Sequence, residues 1–276
     1  MFRSRGSGLL PDTMTGRLPL ACSHRLSVGV RNHLEDLLGL LYPNRCLLCD
    51  GEPASARGGY VGSRCRRSVR AIHPPYCSQC GLPFPADITG SFVCTNCEGL
   101  SLAFESARAA VVAGGVVLEV IHRFKYARAL WFEPFLSDLL LTAAVPALAG
   151  GGWTAVVPVP LHPVRARHRE FNQAERLARP LAAALGLPLL CNRVRRTMPT
   201  LTQTHLSRAE RARNVNRAFQ PGDGGRLDGA SVVIVDDVLT TGATTSATAG
   251  VLRRLGAVRV CVWSVARAIR GEPPLA

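Results

Sequence analysis

The residues best suited to chemistry run from Val232 to Thr244 and read VVIVDDVLTTGAT. Two adjacent carboxylates, Asp236 and Asp237, follow a run of β-branched aliphatics, and Thr240, Thr241, Gly242, Ala243 and Thr244 come directly after them. Carboxylates are acceptor-only groups and can take hydrogen bonds from a vicinal diol. Hydroxyls and a glycine turn leading into a helix start favour an anion, because the first N–H groups of a helix and its dipole point that way. A diol and a phosphate at this spacing describe a ribose 5-phosphate. Neither a G-x-x-x-x-G-K-[ST] loop nor a G-x-G-x-x-G turn occurs, so the commoner nucleotide cradles are excluded.

Cysteines supply a second chemistry. Of the 10 in the chain, those from Cys46 to Cys97 form one cluster, and in a reducing compartment such clustering argues for metal rather than disulfides. Cys77-x-x-Cys80 and Cys94-x-x-Cys97 form a complete pair of knuckles able to hold one tetrahedral zinc ion. Cys46-x-x-Cys49 and Cys65 begin a second set, but Ser68 stands where a fourth cysteine belongs. That set is degenerate, completed by His73, or interleaved with the first. Cys22 reads as a bystander, and Cys191 and Cys261 as core residues.

Taken together, the two groups resemble a known combination. Val232–Thr244 is similar at every position to the phosphoribosyl-pyrophosphate (PRPP) motif of type I phosphoribosyltransferases. Cysteine knuckles ahead of such a motif resemble the ComF competence-protein family, over a span from about Cys46 to Ala268. The resemblance implies an α/β fold of type I phosphoribosyltransferase kind, a central mostly parallel sheet flanked by helices, preceded by a small zinc ribbon. It implies PRPP bound with magnesium, Asp236 and Asp237 on the ribose hydroxyls and Thr240–Thr244 on the 5-phosphate. Val159, Pro160 and Leu161, with Arg165 and Arg167 and the neighbouring His168 and Arg169, then match the position of the pyrophosphate loop. Phe171-Asn172-Gln173 matches the family's FNQ, except that Glu170 stands where glycine is usual. Arg195, Arg196, Gln203, Arg208, Arg211 and Arg213 fall where this enzyme class carries a lid. The family link also implies a cytoplasmic role in DNA uptake, with single-stranded DNA and competence-machinery proteins such as a DNA-uptake helicase as partners.

These residues need elements to hold them. Val232–Val235 fits a strand buried on both faces, and Thr245–Leu255 a helix behind the loop. Phe104–Ala113, Thr154–Pro160 and Val258–Val265 read as further strands, Gly114–Leu141 as helices, and Asn172–Leu185 as a crossover helix closed by Gly186. His122–Arg128, HRFKYAR, holds Lys125, the single lysine among 33 basic residues, which hints that a compact ammonium is wanted there. The division expected is a disordered leader over 1–25, an amphipathic helix over 26–42, a zinc ribbon over 43–99 and the phosphoribosyltransferase-like domain over 102–269.

The formal net charge of +14 points to an anionic partner, a polyphosphate or a nucleic acid. Phe171 is the one aromatic residue among the arginines between Leu161 and Ala218, so base stacking there would be weak. The apolar run at Leu18–Cys22 is too short for a signal core. Leu136–Ala149 is broken by Asp138 and Pro146, so no membrane insertion is expected. Two functions remain open: ribosyl transfer from PRPP, and a non-catalytic binder of PRPP or single-stranded DNA on the same fold.

Overall fold

In the computed structural model the described residues are 44–84, 90–198 and 217–269, so the expected leader and amphipathic helix lie outside them. Strands β1 (Ser106–Val112), β2 (Ala155–Pro158), β5 (Ser231–Leu239) and β6 (Arg259–Arg267) form a parallel sheet in the order β1-β6-β5-β2. A separate two-stranded antiparallel piece joins β3 (Val194–Arg196) to β4 (Phe219–Pro221). Parallel neighbours need crossovers, and helices supply them. α2 (Gly115–Tyr126) and α3 (Glu133–Leu148) follow β1, α4 (Pro163–Arg169) and α5 (Gln173–Leu185) follow β2, and α6 (Ala243–Arg254) follows β5.

The unbroken aliphatic run in β5 is explained by cover on both sides. Val233 and Val235 face a core built with Phe124, Phe132, Phe135, Leu140 and Leu177, whereas Val232 and Ile234 face a second core with Phe219, Val251, Leu252 and Val262. This is the period-two geometry of a strand between two layers. β5 continues through the acidic pair to Leu239 because β6 runs beside it, pairing Asp236 with Ser264 and Leu239 with Arg267. α6 begins at Ala243, two residues before the expected start, with Gly242 as its N-cap in the left-handed region at φ 78°.

Leu130–Leu148, a short 3-10 turn plus α3, is long and apolar enough to cross a membrane by length and composition, contrary to the estimate from the narrower Leu136–Ala149 run. Phe135, Leu136, Leu140, Ala144 and Leu148 of α3 are buried against the sheet and α5 in the first core. Pro146 lies inside the helix near its carboxyl end, where its missing N–H removes one backbone bond.

The cysteine module carries the short helix α1 (Ser63–Arg67) and closes the outer edge of β1. Ile72 N–H donates to Ala110 O at 3.0 Å, Val112 N–H to Arg70 O at 2.8 Å, and Ala107 N–H to Gln79 O at 2.8 Å. An exposed strand edge invites unwanted pairing, and the module removes it. Gly81 makes the approach possible: its φ is 65°, and a Cβ there would lie 2.5 Å from Ala107 O.

The expected glycine position before Phe171 has a structural reason. Glu170 is the C-cap of α4 with φ 67°, a left-handed conformation that costs a side-chain-bearing residue about 1 kcal/mol. An ion pair from Arg128 Nη1 to Glu170 Oε1 at 2.7 Å offsets part of this, but both side chains are more than half exposed, where such pairs contribute only a few tenths of a kcal/mol. Glu170→Gly should therefore stabilise the fold by about 0.5 kcal/mol, read as a higher midpoint in urea unfolding with an unchanged m-value.

Candidate functional site

The carboxyl end of β5 places Asp236 and Asp237 where open parallel sheets present ligand sites. Asp236 Oδ1 accepts from the backbone N–H of Asp237 at 2.9 Å, which orients that carboxylate along the strand. Asp237 is buried, and its Oδ2 forms an ion pair with Lys125 Nζ, delivered by the last turn of α2. Burial, and secondarily the adjacent Asp237 carboxylate, push the Asp236 acid well above the usual carboxylate range, with Lys125 acting in the opposite sense. Two carboxylates and one ammonium thus share a site with little water.

The loop beyond them is fixed by backbone contacts. Thr241 Oγ1 accepts from Ala243 N–H at 3.4 Å, and Thr245 Oγ1 donates to Gly242 O at 3.0 Å. Gly242 offers no side-chain cap, so the opening turn of α6 keeps donor capacity for a ligand. Arg267, at the end of β6, is 5 % exposed. Its guanidinium donates to Leu239 O at 3.0 Å, to Thr240 O and to Ala268 O, and on the other side to Cys80 O at 3.2 Å and Cys80 Sγ at 3.5 Å. No local pattern in the sequence marks this residue, because its partners are remote in the chain.

Val159 continues from β2 and is tied to the neighbouring strand by its N–H to Val235 O at 2.9 Å, and Asn172 Nδ2 donates to Val159 O at 3.1 Å. Pro160 and Leu161 follow, then His162 caps α4 by accepting from Val164 N–H. Arg165 and Arg167 project from α4 and are exposed, whereas Arg169 is buried, donating to Gln173 Oε1 at 3.0 Å and stacking on Tyr126. Arg169 is therefore a packing residue and not part of an open anion surface.

The arginines expected in a lid divide likewise. Arg195 is exposed on β3, but Arg196 is buried on the same strand with its guanidinium 5.3 Å from the centre of the Phe219 ring. The strand's alternation puts neighbouring side chains on opposite faces, so only one of the two can join a surface track. Burial, and then Arg165, hold Arg196 below its usual basicity, while Asp236 opposes them, which places Arg165, Arg196 and Asp236 in one electrostatic neighbourhood. Gln203, Arg208, Arg211 and Arg213 lie outside the described residues. A hollow of about 390 Å³ lies elsewhere, among Glu133, Glu170, Phe171, Glu175, Arg176 and Arg179. Its charged walls are paired, Arg176 with Glu133, Arg179 with Glu175 and Glu170 with Arg128, so it presents no unmatched group.

Among the described residues two groups can hold a metal ion, each with its donor atoms within 4.8 Å of one another. The first is Cys77, Cys80, Cys94 and Cys97, all buried. Cys80 Sγ and Cys94 Sγ lie 3.7 Å apart, close to the roughly 3.8 Å edge of a tetrahedron with metal–sulfur bonds of about 2.3 Å. Burial opposes ionisation of Cys77, but the backbone N–H groups of Cys80 and Cys94 pointing at its sulfur bring its pKa down to about 7. The second group is Cys46, Cys49 and Cys65 with Glu52. It is separate from the first and does not include His73, so neither interleaving nor completion by that histidine describes it. Glu52 was missed although it repeats the knuckle spacing, three residues beyond Cys49.

The architecture defines an α/β protein with a parallel sheet, an acidic pair and threonine loop at the carboxyl end of a central strand, and a two-cluster ribbon on the sheet edge. Residues 37–98 match the family model described as a double zinc ribbon domain. Competence protein F of Haemophilus influenzae is 33% identical over 234 residues, covering 81% of this chain and 97% of the relative. The DNA utilization protein YhgH of Escherichia coli (strain K12) is 34% identical over 238 residues, covering 83% and 100%. The chain belongs to this ComF/YhgH competence-protein family. Among solved structures, an adenine phosphoribosyltransferase aligns with 52% of this chain and 74% of its own at 16% identity and a TM-score of 0.35. A purine phosphoribosyltransferase from Pyrococcus horikoshii aligns with 51% and 93% at 18% identity and a TM-score of 0.34. At those scores the likeness adds nothing to what the sheet and the sequence relatives show.

Two outcomes follow from the electrostatics. Lys125→Ala leaves the buried Asp237 carboxylate without its cation and should lower the unfolding free energy by about 3 kcal/mol in urea titrations, with the Lys125→Met, Asp237→Asn pair recovering most of the loss. Asp236 carries a raised pKa in the folded state, so between the unfolded and folded values the folded chain holds the extra proton. Stability should then fall as pH rises through that window and level off above it. Asp236→Asn should remove this component, giving a higher melting temperature at neutral pH and a flatter profile from pH 4 upward.

Proposed function

We propose that this chain binds PRPP with magnesium at the carboxyl end of β5 and acts on or alongside DNA entering the cell. One observation carries the reading: the Asp236-Asp237 pair lies near the carboxyl end of a central parallel strand, and the loop that follows leads into a helix whose N-cap, Gly242, has no side chain to cap it. In this reading the two carboxylates accept the ribose hydroxyls, displacing Lys125 from Asp237, and Thr240–Thr244 with the first N–H groups of α6 take the 5-phosphate. Arg165 and Arg167 would receive the pyrophosphate, and their exposure suits a polyanion that arrives and departs. Magnesium suits hard oxygen donors and would be held largely by the ligand's own phosphates and hydroxyls beside Asp236 and Asp237, supplying charge neutralisation at the pyrophosphate. The four buried thiols of Cys77, Cys80, Cys94 and Cys97 suit zinc, whose role there is structural.

The enzymatic form of the proposal is transfer of the ribosyl group to a nucleophile with release of pyrophosphate. The second reading is a binder without turnover on the same fold. The names of the relatives, competence protein F and DNA utilization protein, support a place in DNA handling, with the exposed Arg165, Arg167 and Arg195 as phosphate contacts for a single strand in the cytoplasm.

Titration calorimetry with PRPP and magnesium tests the site. The wild-type chain should bind, and Asp236→Asn with Asp237→Asn should reduce affinity at least about a hundredfold, the loss of two charge-assisted contacts, while circular dichroism shows the fold retained. Undiminished binding would sink the ribose assignment. Pyrophosphate release from PRPP on addition of nucleobases separates the enzyme from the binder.

A further inference from the structure

We propose that Glu52 is the fourth ligand of a second metal ion, held with Cys46, Cys49 and Cys65, in place of the cysteine that Ser68 replaces. The donor atoms of these residues lie within 4.8 Å of one another. Cys46 Sγ and Cys65 Sγ are 3.7 Å apart, again the edge of a thiolate tetrahedron of about 3.8 Å and far from the roughly 2.05 Å of a disulfide. Ser68 Oγ is directed elsewhere, donating to Cys65 O at 2.8 Å.

The backbone delivers Glu52 to this place. Cys46 N–H donates to Glu52 O at 2.9 Å, and Arg45 bridges Pro53, so a small hairpin sets Glu52 directly across from the first cysteine. Its carboxylate sits over Gly62, where an added Cβ would come within 2.4 Å of the carboxyl group. No other side chain could occupy position 62 without expelling it. The carboxylate accepts from Arg64 N–H at 2.9 Å, Cys65 N–H at 3.2 Å and Ser63 Oγ at 3.0 Å. These bonds fix its orientation in the manner of outer partners around a metal-bound carboxylate. They also let Glu52 cap α1, whose N-cap Gly62 has no side chain to do so. An ion here would join the turn bearing Cys46 and Cys49 to the helix bearing Cys65. Three thiolates and one carboxylate, with Cys49 exposed, suit zinc but make a more open site than the buried four-cysteine cluster.

Capping alone is the competing role, and Glu52→Gln separates the two, since an amide oxygen still caps but is a poor ligand. Elemental analysis of the full chain purified with zinc should give two ions for the wild type and one for Glu52→Gln, with equal helical signal. One ion in the wild type, or two retained by the variant through dialysis against a chelator, would overturn the proposal. Should the variant not fold, cobalt loading of the wild-type chain decides. One cobalt equivalent should show a thiolate-to-metal absorption about three quarters as strong as the other, reflecting three sulfur ligands against four. Two equal bands would refute a carboxylate in the second site.

Discussion

A single buried guanidinium ties the molecule together. Arg267 hydrogen-bonds the carbonyls of Leu239 and Thr240, which begin the loop after the acidic pair, and also the carbonyl and sulfur of Cys80 in the four-cysteine cluster. A buried cation requires partners for its donors or it is expelled, so these contacts stand or fall together. A metal-bound thiolate at Cys80 would supply the negative charge that carbonyl dipoles only approximate. The shape of the candidate ligand loop and the integrity of the ribbon are thereby one structural problem, and the ribbon is best seen as part of the site's foundation.

The same economy appears at the carboxylates. Asp236, Asp237, Lys125 and Arg196 converge from β5, α2 and β3, and each is shielded from water enough to depend on the others. Such an arrangement is less stable than an apolar one of the same shape, a cost that fits the ligand-binding role proposed for it. Lys125 stands out on this view: an ammonium is a compact charge that can withdraw from Asp237, whereas the planar guanidinium used everywhere else in the chain would hold a carboxylate through two bonds.

Departures from the family pattern are absorbed locally. Glu170 occupies a left-handed position that glycine fills without strain, and the Arg128 ion pair lies across it. Ser68 gives up a ligand position, and Glu52 comes to the same cluster from a different turn. Neither change disturbs the sheet, since both lie outside the two cores.

What the sequence by itself determined was whatever is periodic or local. The aliphatic run of β5, the carboxylates and threonines that follow, the cysteine knuckles and the glycines at turns are legible because neighbours in the chain enforce them through strand alternation, helix capping and ligand spacing. The tertiary structure decided which of these meet. It paired Lys125 with Asp237, drew Arg196 and Arg169 out of the basic surface into packing, set Glu52 among three cysteines, and put Arg267 between loop and ribbon. The Lys125–Asp237, Arg196–Phe219 and Arg267–Cys80 contacts join residues far apart in sequence, and all of these placements rest on desolvation and on which side of a strand or helix a residue lands, neither of which a window of sequence contains.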